Sequence, residues 1–107
     1  MRKNTRYAAD AEVHISPFPE REIALKDISL SGCRVHSDDF LEILPNTRFM
    51  IDVTPRESAD LEDFALDVKS RWVRASKDSF ETGLEILARE KDMTLEQYVE
   101  FLAKRPS

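Results

Sequence analysis

Three cations stand within the first six residues, Arg2, Lys3 and Arg6 in MRKNTRY, in a chain whose net charge is −5. Arg2 and Arg6 are four apart. That spacing puts them on one face of a helix, and on an extended chain also on one face, about 13 Å apart. Either conformation aims two guanidinium forks at one large ligand. Guanidinium suits phosphate bidentately and matches the O6/N7 edge of guanine. Taken alone, the cluster also reads as a solubilising basic end.

The second candidate is DISLSG, residues 27–32, between two strand-like runs. On an unbroken strand Asp27 and Ser29 share a parity and so face one side. Asp27 offers an acceptor to a base N–H or to an arginine, and Ser29 a small hydroxyl. Gly32, one of two glycines, admits a close ligand or supplies a bulge with positive φ. A strand–turn–strand corner uses the same residue types.

The elements that position these residues are mostly strands. AEVHIS (11–16), EIALKDIS (22–29), GCRVHS (32–37), TRFMIDV (47–53), FALDVKSRWVRAS (64–76) and FETGLEIL (80–87) alternate apolar and polar residues, separated by turn chemistry such as SPFPE. In the fifth run Phe64, Leu66, Val68 and Trp72 fall at period two, so Trp72 reads as a core or rim aromatic rather than a stacking platform. DDFLEILPN (38–46) reads as a helical turn capped by Asp38 or Asp39 and stopped by Pro45. In TLEQYVEFLAK (94–104), Leu95, Tyr98, Val99 and Leu102 make a helical stripe, with Thr94 and Gln97 as a capping box and Met93 as a staple to Tyr98. The sum is a six-stranded barrel or sandwich with a helix lidding one side.

Composition narrows the function. At 107 residues with 41% apolar and 35% charged residues, the chain is one soluble domain. No apolar run is long enough to insert in a membrane, and no apolar segment follows the basic start as a secretory signal would. One cysteine, Cys33, fits a reducing, cytoplasmic compartment and reads as a small packed residue. His14 and His36 do not complete a zinc site by spacing. The acidic balance disfavours DNA or RNA as a partner. The pairs Asp38/Asp39 and Glu62/Asp63 read as solvated turns, and no nucleophile or acid–base pair can be nominated, so no enzyme is expected.

Together, Arg2-Lys3-Asn4-Thr5-Arg6 and Asp27-Ile28-Ser29-Leu30-Ser31-Gly32 fill the pattern R-x-x-x-R followed by D-x-S-x-x-G. This resembles the PilZ family of bacterial cyclic di-GMP receptors, and RWVR (71–74) with FETGLEI (80–86) is similar to that family's closing strands. The resemblance implies a six-stranded antiparallel β-barrel over residues 1–107 and no cofactor beyond the ligand cyclic di-GMP. By carry-over, Arg2 and Arg6 clamp the nucleotide and Lys3 adds a phosphate contact. Asp27 and Ser29 give polar contacts, and Gly32 leaves room for the purine. Residues 1–7 are expected to be flexible until ligand orders them, changing the surface offered to a protein effector. With Arg2 directly after Met1, no linker or second domain is expected. The alternative is a PilZ-like adaptor that binds a protein without nucleotide.

Overall fold

The computed structural model describes residues 5–16, 18, 21–58, 60–88 and 94–105. Its elements are β1 (Tyr7–Ile15), β2 (Ile23–Ile28), β3 (Gly32–Ser37), β4 (Arg48–Pro55), β5 (Phe64–Ala75), β6 (Phe80–Ala88) and α1 (Thr94–Lys104). All strand pairs are antiparallel, and the sheet closes on itself in the order β1-β2-β3-β6-β5-β4, with β4 pairing back to β1. This is the expected six-stranded barrel.

Alternation decides which side chains fill it. Val13 and Ile15, Ile23 and Leu25, Ile51 and Val53, Leu66 and Val68, and Leu84 and Ile86 are all buried, two from each of five strands. Their partners across the pleat face solvent, so each strand is stable only with its apolar set turned inward. Cys33 joins this core, and burial pushes its thiol up to about 12, which keeps it protonated and unreactive.

The helix α1 covers the barrel end where β1 begins and β5 starts. Its stripe of Leu95, Tyr98, Val99 and Leu102 is buried as the periodicity requires, and Tyr98 packs against Phe64 with ring centroids 5.6 Å apart. The Tyr98 hydroxyl donates to Glu57 Oε2 at 2.8 Å, and Arg105 just past the helix donates to the Ala8 carbonyl at 2.7 Å. Asp10 N also donates to Glu57, at 2.8 Å. Helix, β4–β5 connection and β1 are thus fastened at one point. Met93, the expected staple, lies outside the described residues.

The opposite end differs from the sequence expectation. Residues 38–46 form no helix; they run as an irregular segment ending in a turn at Asn46, which takes a positive φ of 62°. The reason is tertiary. Ser70 of β5 donates its hydroxyl to the Leu44 carbonyl and accepts from Thr47 N at 3.0 Å, while its own backbone bonds Asn46 N and the Thr47 carbonyl. With those partners supplied, the segment satisfies its backbone without a helix and lowers Leu41, 1% exposed, into the barrel.

Candidate functional site

Residues 28–32 turn the chain from β2 into β3, and Ser29 makes that turn. It is buried, and its Oγ accepts from Gly32 N at 3.1 Å and from Ser31 N at 3.2 Å. Ser29 N donates to the Gly32 carbonyl at 2.8 Å, and Ile86 N donates to the Ser31 carbonyl at 3.0 Å, fixing the turn to β6. The hydroxyl is therefore used up on the backbone. Ser29 acts on the site through the shape of this turn, not on the face Asp27 occupies. Gly32 has no positive φ. A Cβ there would lie 2.9 Å from the Leu84 carbonyl and 3.5 Å from Arg6 Nη2, so glycine lets β6 and the Arg6 guanidinium approach together.

Asp27 reaches the outer wall because β2 is bulged. Leu25 pairs with Val35 and Asp27 with Arg34, so Lys26 is an extra residue. A bulge puts two consecutive side chains opposite one, and both Lys26 and Asp27 stay on the outer face while Ile28 returns to the core. A second irregularity in β1, between Ala8 and Ala11, lies directly across from it. Asp27 is then met from two sides: Arg6, just before β1, donates from Nη1 to Oδ1 at 3.0 Å, and Arg34 Nη2 of β3 stands 2.7 Å from Oδ2. Its side chain is 13% exposed, so solvent screens these pairs less than an open surface pair.

A third bulge aims Trp72. Ser70 pairs with Leu84 but Trp72 with Gly83, so Arg71 is the extra residue and parity flips beyond it. Trp72 leaves the period-two series of Phe64, Leu66 and Val68 and sits on the outer wall, 41% exposed. The expected core or rim aromatic is corrected by that one inserted residue. The indole covers the position a side chain at 83 would take; a Cβ on Gly83 would collide with it. The Arg74 guanidinium lies over the ring, 5.1 Å from its centroid, within cation–π range.

Arg6, Asp27, Arg34 and Trp72 line one open hollow of about 220 Å³. That is below the roughly 300–1,000 Å³ of an enclosing ligand pocket, so a large ligand would lie across the wall with one side open. Around it, Glu81 of β6 faces Arg74 at 3.1 Å, Arg34 at 3.6 Å and Lys26 at 3.8 Å. The hydrogen bond from Arg74, aided by the charges of Arg34 and Lys26, holds its carboxyl below the ordinary glutamate range. Four cations and two carboxylates share this patch, a surplus of two positive charges on an acidic protein. Arg34 Nε is buried with no hydrogen-bond partner among the described residues. Larger hollows lie elsewhere, among them one beside Glu12, Glu22 and Asp38 and one between α1 and Asp60 and Glu62. Their carboxylates make them poor sites for an anion.

The structure brings Arg6, Asp27 and Gly32 together and assigns Ser29 to the turn. Arg2 and Lys3 lie outside the described residues. Sequence reasoning missed Arg34, Trp72, Arg74 and Glu81. A signal for Trp72 was present: a lone tryptophan in RWVR followed across a short turn by ETG places an aromatic opposite a glycine.

Comparison with curated proteins gives no match. A family model does match: the PilZ domain, over residues 1–101. PilZ domains in general are non-catalytic and bind cyclic di-GMP as a ligand. A match over that span, on a barrel closed in this way, makes the chain a member of the PilZ domain family.

Proposed function

We propose that this chain is a bacterial, cytoplasmic, non-catalytic cyclic di-GMP receptor that works as an adaptor, with Arg2, Lys3, Arg6, Asp27, Ser29 and Gly32 as its ligand-binding set. The observation that carries the reading is the Arg6–Asp27 pair beside Trp72 on a wall with surplus positive charge. The two phosphodiester groups of the ligand carry two negative charges, which that surplus matches. Arg6 is 53% exposed and can leave Asp27 for a phosphate or a guanine edge, because Arg34 stays behind to neutralise the carboxylate. Arg34 Nε adds an unused donor. A purine stacking on Trp72 takes the place Arg74 now holds; such contacts are worth about 1–3 kcal/mol per base.

Coupling to a protein effector follows from what is fastened. Arg105 grips the Ala8 carbonyl and Glu57 grips Asp10 N, so β1 from Ala8 onward is tied to the helix end of the barrel. Rearrangement on binding is then confined to residues before Ala8, which fold over the nucleotide and present a new surface beside α1. An adaptor that binds protein without nucleotide is the second reading. It draws on Leu44, 76% exposed, which with Phe18, Ile43 and Phe49 lines an apolar hollow at the far end.

Calorimetric titration tests the choice. Cyclic di-GMP should bind in the micromolar range or tighter, GTP should give no heat, and Arg6→Ala should weaken binding at least about tenfold, the loss of one charge-assisted contact. The variant should keep its melting temperature, since Arg34 still neutralises Asp27. Absence of heat and of any thermal shift with the intact chain would leave the constitutive adaptor as the reading.

A further inference from the structure

Glu81 stands at the centre of a fan. Lys26, Arg34 and Arg74 come from three different strands, β2, β3 and β5, and all point at this one carboxylate. Two of them reach it through irregularities: Lys26 is itself the extra residue of the β2 bulge, and Arg74 lies just past the β5 bulge at Arg71. Cations gathered this closely repel one another unless an anion sits among them. Asp27 does that work for Arg6 and Arg34, and Glu81 does it for the other three contacts. The Glu81 side chain is only 15% exposed, so water screens it incompletely.

Arg74 has two attachments at once. It donates to Glu81 Oε1 at 3.1 Å while its guanidinium covers the Trp72 ring. Clearing the indole for a base therefore requires Arg74 to swing on, or away from, Glu81. Any bound anion also meets the field of this carboxylate directly.

We infer that Glu81 is an internal counter-anion that occupies the cationic wall in the unliganded protein, so that cyclic dinucleotide binding is an exchange of one anion for another and Glu81 sets its affinity. The inference rests on the receptor reading above. It makes Glu81 a positioning residue that opposes binding, unlike Arg6, which favours it.

The test is titration of cyclic di-GMP into wild type, Glu81→Gln and Glu81→Asp at several salt concentrations, with thermal melts of each protein with and without ligand. Glutamine keeps the shape and an acceptor for Arg74 but removes the charge. It should bind roughly five- to tenfold tighter, as expected for removing one carboxylate several ångströms from the phosphates. Its affinity should also fall more steeply with salt, and its ligand-induced rise in melting temperature should be larger than wild type's. Aspartate keeps the charge and should bind like wild type. Unchanged or weaker binding by Glu81→Gln, while wild type binds, overturns this inference and leaves the receptor intact. Binding by Glu81→Gln alone supports it in its strongest form. No binding by any of the three overturns the receptor reading, and this one with it.

Discussion

Ser29 and Ser70 make an instructive pair. Each is 1% exposed, and each spends its hydroxyl on the backbone of a neighbouring loop. Around Ser29, at the β2–β3 turn, the flanking strand is bulged and charged side chains crowd the outer wall. Around Ser70, the loop it holds lowers Leu41 into the core and leaves apolar side chains at the surface. The same device, a buried hydroxyl replacing a missing ladder partner, serves the proposed ligand wall at one site and closure of the barrel at the other. The difference lies in what the held loop carries, not in how it is held.

Substitutions at the two ends put that contrast to the test. The largest effect should come from Leu41→Ala, which empties a filled position at the far end and should cost about 2–5 kcal/mol in denaturant unfolding. Its folded fraction should bind cyclic di-GMP as wild type does; weakened affinity would show that the two ends are not separate. Ser70→Ala comes next. It strands Leu44 O and Thr47 N, and a loss of about 1–3 kcal/mol with unchanged affinity is expected. Ser29→Ala should lose a similar or smaller amount of stability but should also weaken ligand several-fold, because Gly32 and Asp27 lose their frame; equal affinity would show that the turn holds itself. Trp72→Ala should move affinity by about tenfold and the melting temperature hardly at all. The smallest effect belongs to Arg48→Ala, which removes an open pair with Asp67 on the β4–β5 face and should change neither quantity measurably.

Much of the architecture was legible because it depends on period. Strand alternation found the buried pairs of all five apolar strands, and the i, i+3, i+4, i+7 stripe found α1 with its boundaries intact. What failed did so at single inserted residues. Parity counting carries across a strand only while every residue has one partner, and Lys26 and Arg71 have none of their own. Hence Trp72 was expected in a series it leaves; Asp27 and Ser29, expected on one face, part because β2 ends at Ile28 and Ser29 lies in the turn. β1 begins at Tyr7 rather than Ala11 because AADA offers no apolar alternation, although Tyr7 and Ala8 pair with Ile28 and Asp27. The helical turn at 38–46 was misread because its backbone partners come from Ser70, twenty-six residues from Leu44. Within the candidate site, the motif positions were legible by type, whereas Arg34 and Glu81 entered only through cross-strand register, which a single chain does not display.

The closed strand order has a consequence for how this domain can be read by another protein. β4 pairs back onto β1, so among the described residues unpaired backbone is confined to short stretches such as Trp72–Ala75 of β5, which pairs with β6 alone. Recognition by adding a strand depends on a long row of unused N–H and C=O groups, and such a short stretch offers little to extend. What the surface mainly offers is side chains: the charges around Asp27 and Glu81, the outer face of α1, and the apolar residues near Leu44. Side-chain recognition can be altered by moving a few groups, which is all that the proposed ordering of the first residues over the nucleotide would require.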